Sequence, residues 1–190
     1  MLYFWQIKNV NLVEKVITVK DRQFEPFIKQ HDIEDSIKRI AAQINAELDG
    51  KDPIFVAVLN GAFMFAGELM KEVTIPSEIT FVRLASYLGT KSTNKVDEVL
   101  GLNECIKDRT VVIVEDIVDT GTTITSLKEV LQAYEPKEIK VATLLLKPEA
   151  LQQPVQLDYV ALEIPKAFIL GYGLDYDGYG RNLRDIYKIK

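Results

Sequence analysis

Val111-Val112-Ile113-Val114-Glu115-Asp116-Ile117-Val118-Asp119-Thr120-Gly121-Thr122-Thr123 is the stretch that decides the fold. It opens on four consecutive β-branched apolar residues, the signature of a strand buried on both faces and so of the middle of a parallel sheet. Two carboxylates follow at once, then a short turn and the small, hydroxyl-rich run from Asp119 to Thr123. Ile124, Leu127, Val130 and Leu131 then recur at helical spacing. The order is strand, acidic pair, small loop, helix. Small residues let backbone N–H groups approach a ligand, and a helix N-terminus presents unpaired N–H groups with a favourable dipole, so the loop reads as a phosphate cradle. Glu115 and Asp116 lie at the carboxyl end of the strand, where open α/β sheets bind ligands. Carboxylates there suit sugar hydroxyls and a divalent cation. Two common phosphate loops are excluded: there is no G-x-x-x-x-G-K-[ST], and Gly121 alone is not G-x-G-x-x-G.

Working outward, strands and helices alternate. Val16 to Val19 reads as a strand, and residues 1–30 otherwise say little about chemistry. Asp32 reads as an N-cap, followed by the apolar stripe Ile33, Ile37, Ile40, Ala41, Ile44 and Leu48, and Asp49-Gly50 ends that helix. Ile54 to Leu59 reads as a second strand, stopped by Asn60-Gly61-Ala62 before a helix carrying Phe63, Phe65, Leu69 and Met70. This strand–turn–helix unit can be a second anion site, although Asn-Gly alone marks only a turn. Ile79 to Ala85, Ile139 to Leu146 and Tyr159 to Ile164 read as further strands. The polar segment from Gly89 to Lys95 reads, on composition, as a solvated hairpin. Lys147 sits at the carboxyl edge of its strand, where a lysine is commonly a surface residue, and Phe168 by itself reads as core. The alternation gives an α/β fold, a mostly parallel twisted sheet with helices on both faces.

The central string closely resembles the phosphoribosyl-pyrophosphate signature of type I phosphoribosyltransferases. A buried strand with a solvated acidic turn would need neither the acidic pair, nor Asp119, nor Thr-Gly-Thr-Thr in this order. The resemblance covers roughly residues 17–190 and implies a set of roles. Glu115 and Asp116 would hold the ribose hydroxyls, with magnesium as the cofactor. Asp119, Thr120, Gly121, Thr122 and Thr123 would receive the 5′-phosphate, and Asp119 would be the general base for the purine's imidazole proton. Leu59-Asn60-Gly61 would be the pyrophosphate loop with a non-proline cis bond. The family often has Leu-Lys-Gly there, so the role of that lysine is open in this chain. Ser86-Tyr87 matches the pair on a mobile loop that closes over the site and excludes water. In purine-salvage members a lysine placed like Lys147 recognises the 6-oxo group. An aromatic placed like Phe168 stacks on the purine, and the carbonyl of the next residue, Ile169, bonds the ring edge. Asp175 in Leu174-Asp175-Tyr176 would hold a second magnesium ion, and Arg181 would contact pyrophosphate. The implied reaction joins a 6-oxopurine to phosphoribosyl pyrophosphate. The implied layout is one domain, 1–190, with a small hood from the N-terminal segment and the region around 147–190, assembled as a homodimer or homotetramer.

Composition narrows the rivals. With 190 residues the chain is long enough for a sizeable core. A net charge of -5 opposes a general nucleic-acid partner, which needs a basic face. Cys105 is the single cysteine and allows no intrachain disulfide, which points to a reducing, cytoplasmic compartment. The single histidine, His31, excludes a multi-histidine metal centre and lies in a helix-start context. No apolar run is long enough for a membrane span. Met1 to Ile7 is apolar but is ended by Lys8, without the features of a signal peptide. Transfer to another base, a regulatory ribosyl-phosphate-binding protein and a phospho-receiver domain remain as alternatives. The last does not account for the Thr-Gly-Thr-Thr loop.

Overall fold

A computed structural model of the chain describes residues 15–85 and 98–190. Its main sheet has six strands in the order β5-β4-β3-β6-β7-β8: Glu98–Leu100, Glu78–Ala85, Ile54–Leu59, Thr110–Val118, Glu138–Leu146 and Tyr159–Glu163. Five run parallel, and β5 pairs antiparallel with β4. The apolar run of β6 lies in the middle, as a strand buried on both faces must. Alternate residues serve two cores. Val112 and Val114 face helices α1 (Gln30–Leu48) and α2 (Phe63–Glu72), with Ile37, Ile40, Phe65 and Leu69. Val111 and Ile113 face α3 (Thr122–Gln132), with Ile124, Leu127 and Leu131. Helices therefore cover both faces.

From β3 the chain moves outward to β4, and it returns to the other side of β3 as β6. The strand order reverses there, so the loops after β3 and β6 flank the crevice where open sheets bind ligands.

A second, four-stranded antiparallel sheet has the order β1-β2-β10-β9: Ile17–Val19, Arg22–Ile28, Ile186–Ile189 and Ile169–Leu170. It joins the two ends of the described chain and sends Phe27, Ile28, Ile169 and Ile186 into the α1/α2 core.

Local expectations are corrected in three places. Helix α1 starts at Gln30 with Lys29 as N-cap, so Asp32 lies in the first turn instead of capping it. Its carboxylate is still well placed against the helix dipole. Strand β6 runs on to Val118, so Glu115 and Asp116 lie within its last turns rather than after it. The N-terminal segment, expected to carry only Val16–Val19, contains the longer β2 as well. Among the described residues no helix is long and apolar enough to cross a membrane.

Candidate active site

The regular alternation of β6 breaks where the carboxylates stand. Ile117 packs with the α1/α2 core and Val118 with the α3 core, the reverse of what Val111 to Val114 would continue. Strand β7 breaks at the matching level, where Leu144 and Leu145 both face the α1/α2 core and Leu146 faces the other. Glu115 lines a hollow of about 240 Å³ with Asp119, Thr120, Gly121, Thr123 and Ile124. Asp116 turns instead to Gly61: a methyl group on Gly61 would lie 1.6 Å from Asp116 Oδ2. Two acids adjacent in sequence thus serve different walls of one crevice.

Both are held in a poorly solvated place. Burial, and then the neighbouring Asp116, raise the Glu115 carboxyl well above its ordinary range, and Glu115 Oε2 has no hydrogen-bond partner. Burial raises Asp116 to about 6, opposed by the Ile117 amide, which donates to its Oδ1 at 2.9 Å. Glu115 in particular has an oxygen left without a compensating donor.

Loop 119–123 is shaped by its glycine. Gly121 has φ +84° and caps α3, and a Cβ there would approach Val155 Cγ2 to 2.5 Å. Gly121 offers no side chain to cap the helix, and the first helical amide, that of Thr122, donates to Thr120 Oγ1 at 3.4 Å. Thr125 Oγ1 donates to the Gly121 carbonyl at 3.1 Å and steadies the turn. Lys147, just past β7, donates to Asp119 Oδ2 at 2.8 Å. Its side chain is 9% exposed and that of Asp119 is 47%.

On the other wall the Leu59–Asn60 peptide is cis, as the resemblance implies. Gly61 is wedged between Asp116 and Gly173, where a Cβ on Gly173 would meet the Gly61 carbonyl at 2.1 Å. Arg181 Nη1 donates to the Gly173 carbonyl at 2.8 Å, and its Nη2 pairs with Asp175 Oδ1 at 2.7 Å. The other Asp175 oxygen accepts from the Gly178 amide at 2.6 Å. Asp175 meets the arginine, and Asp116 still senses both: the Arg181 charge lowers its carboxyl and the Asp175 charge raises it. Among the described residues no three His, Cys, Asp or Glu side chains converge on a common cation position. Ser86 and Tyr87 lie outside the described residues.

Phe168 is 46% exposed, not core, and directly precedes β9. Its carbonyl accepts from the Ile189 amide at 2.9 Å. In an antiparallel ladder this leaves Ile169, opposite Lys188, with its carbonyl turned to the open edge of β9. One residue escaped the sequence reading. Arg83 stands in register with Leu59 and donates to Asn60 Oδ1 at 2.9 Å, which brings a cation to this loop. The signal was present, because Arg83 lies two residues from the carboxyl end of a strand, Ile79 to Ala85, expected to be parallel to β3.

The phosphoribosyl transferase domain matches residues 27–177, and the chain belongs to this family. It is 36% identical over 167 residues to a hypoxanthine-guanine phosphoribosyltransferase of Staphylococcus aureus, covering 87% of this chain and 93% of the relative. With a Streptococcus pneumoniae protein of the same name it shares 37% identity, over 82% and 87% of the two chains. Among solved structures, a hypoxanthine-guanine phosphoribosyltransferase from Bacillus anthracis superposes with a TM-score of 0.80 at 34% identity, covering 87% and 96% of the two chains. A hypoxanthine phosphoribosyl transferase from Trypanosoma cruzi gives 0.82 at 31% identity, over 92% and 95%.

Proposed function

We propose that this chain is a purine-salvage enzyme that transfers the 5-phosphoribosyl group from phosphoribosyl pyrophosphate to hypoxanthine or guanine, giving the nucleoside 5′-monophosphate and pyrophosphate. The observation that carries the choice of base is the Lys147–Asp119 pair. Along one purine edge a 6-oxo acceptor neighbours the imidazole nitrogen N7. A donor-only ammonium beside a carboxylate complements a base that presents C6=O next to N7–H. Asp119 then takes the imidazole proton as N9 attacks ribose C1.

Breaking the bond to pyrophosphate puts positive charge on the sugar and negative charge on the leaving group. Asp116 and Glu115 hold the ribose hydroxyls and orient the ring. The amides at the start of α3, with Thr120, Thr122 and Thr123, receive the 5′-phosphate. The loop 59–61, Arg83 and Arg181 face the pyrophosphate. Phe168 stacks on the base and the Ile169 carbonyl accepts from its edge. Ser86 and Tyr87 belong to the covering loop. The unpartnered Glu115 oxygen and the raised acid pair fit a divalent cation. Magnesium carried with the substrate would be held by Glu115 and Asp116, and a second magnesium ion by Asp175. Once bound, it supplies charge neutralisation for the leaving group.

The same reading takes residues 1–190 as one domain with the antiparallel sheet and the 147–190 region as its hood. It places the enzyme in the cytoplasm as a homodimer or homotetramer, without nucleic acid or membrane as partner. One assay tests it: hypoxanthine, guanine, xanthine and adenine are each mixed with phosphoribosyl pyrophosphate and magnesium. Formation of inosine and guanosine monophosphate with pyrophosphate is expected. Turnover of adenine alone, or of none, would refute it.

A further inference from the structure

Phe168 is a large ring left half in solvent at the end of a two-residue strand, a poor foundation for a stacking platform. What steadies it comes from two distant segments. Tyr176 meets it edge-on, with ring centroids 5.8 Å apart and planes at 87°. Phe24 of β2, fully buried, lies 6.3 Å from Phe168 and 6.0 Å from Tyr176. Tyr176 is itself fastened at its far end, where its hydroxyl donates to Asp21 Oδ1 at 2.8 Å. Asp21 stands in the turn between β1 and β2, and two more contacts clasp that turn to the same loop. Lys20 pairs with Asp177, and its ammonium lies 4.9 Å above the Tyr179 ring. The loop between residues 175 and 180 is also closed on itself, because Tyr176 and Tyr179 exchange backbone hydrogen bonds of 2.9 and 3.1 Å.

We propose that Tyr176 is a positioning residue for the purine: its ring, anchored by Asp21 across the hood, fixes the plane that Phe168 offers to the base. The Phe168 and Tyr176 rings meet edge to face, the favoured geometry for an aromatic pair. Phe168 stays 46% exposed beside this contact, which leaves ring surface for the base. A platform held in one orientation avoids the ordering cost of binding. The inference rests on the function proposed above and assigns its base affinity partly to the β1–β2 turn.

The test is steady-state kinetics with hypoxanthine and phosphoribosyl pyrophosphate on the full chain and five variants. In Tyr176→Leu the KM for hypoxanthine should rise about 2- to 10-fold, the range for loss of one ring pair, while kcat and the KM for phosphoribosyl pyrophosphate stay within about 2-fold. Tyr176→Phe keeps the ring edge and should recover most of that loss. Asp21→Ala, which removes only the anchor, should match Tyr176→Phe. In a Phe168→Leu background, Tyr176→Leu should add nothing to the hypoxanthine KM, because the platform it positions is gone. An unchanged hypoxanthine KM in Tyr176→Leu, an equal rise in both substrates' KM values, or additive effects with Phe168→Leu would each overturn the proposal. If Tyr176→Leu does not fold, Tyr176→Met, which also removes the ring, takes its place with the same expected and overturning outcomes. Turnover by the unmodified chain separates the two ideas, since its absence defeats the proposed function as well.

Discussion

Lys147 Nζ stands 2.8 Å from Asp119 Oδ2, although the residues are 28 apart in sequence. They meet because β6 and β7 are parallel neighbours and each carries its polar residue just past its end. One group can only donate and the other, ionised, can only accept, so the pair has a direction that a substrate edge must match.

Lys147→Met removes the donor that faces position 6. Catalytic efficiency with hypoxanthine should fall sharply while the gap to adenine narrows. A site built around a substrate hydrogen bond can discriminate by about 10⁴-fold, because a mismatch leaves buried groups unpaired. Efficiencies for both bases in both proteins measure this, and comparable use of adenine and hypoxanthine by the unmodified chain would remove Lys147 as selector.

Asp119→Asn keeps an acceptor for Lys147 but cannot take a proton. Turnover should drop by about 10²–10⁴-fold with substrate affinities nearly intact. Single-turnover measurements at saturating substrate separate the two, and full turnover would exclude Asp119 as base.

Gly61→Ala would drive a methyl group into the Asp116 carboxylate, 1.6 Å away in the present geometry. The acid must move, and a displacement of about 1 Å in a positioning group can cost about 10²-fold in rate. The loss should fall on phosphoribosyl pyrophosphate and leave thermal stability little changed. Wild-type kinetics in this variant would mean that Asp116 does not orient the sugar.

Asp116 offers a pH test. Its carboxyl is raised from 3.8 to about 6 by burial, so the folded state prefers the protonated form. A raised pKa contributes stability in full below the unfolded value and loses it as pH climbs through the folded value. Without ligand, Asp116→Asn should therefore melt higher than the unmodified chain at pH 7–8, by up to roughly 3 kcal/mol, and show no advantage near pH 4. Thermal melts across that window decide, and a gain that is independent of pH would dismiss the carboxyl as its source.

Much of the main sheet was legible because its strands are continuous apolar runs closed by Asn-Gly or Asp-Thr-Gly. Each local pattern agreed with its place in the fold. The antiparallel sheet was not, for a specific reason. Strand β2 carries Pro26 in an interior position of that sheet, where a missing amide ordinarily argues against a strand. A register shift between Ile186 and Tyr187 on β10, opposite it, accommodates the proline. Strand β9 has two residues and β5 three, too few for any period to appear. In the site, Asp119 to Thr123 and Gly61 were readable as loop chemistry. The Arg181–Asp175 pairing and the ring cluster around Phe168 depend on contacts between distant segments, which no local pattern encodes.

The pairing of β2 with β10 has a consequence for how the molecule is made. Ile28 lies opposite Ile186, almost the full described length away. Contacts of such separation are slow to close, because the loop between them must be ordered first. During synthesis β2 waits for nearly the whole chain to emerge, while β3, β6 and α3 can already assemble. The loop proposed to hold the phosphate is thus expected early and the proposed base platform late, completed only when the last strand docks. Pulse-labelled hydrogen exchange on the refolding chain should find the amides of β2 and β10 protected after those of β3 and β6.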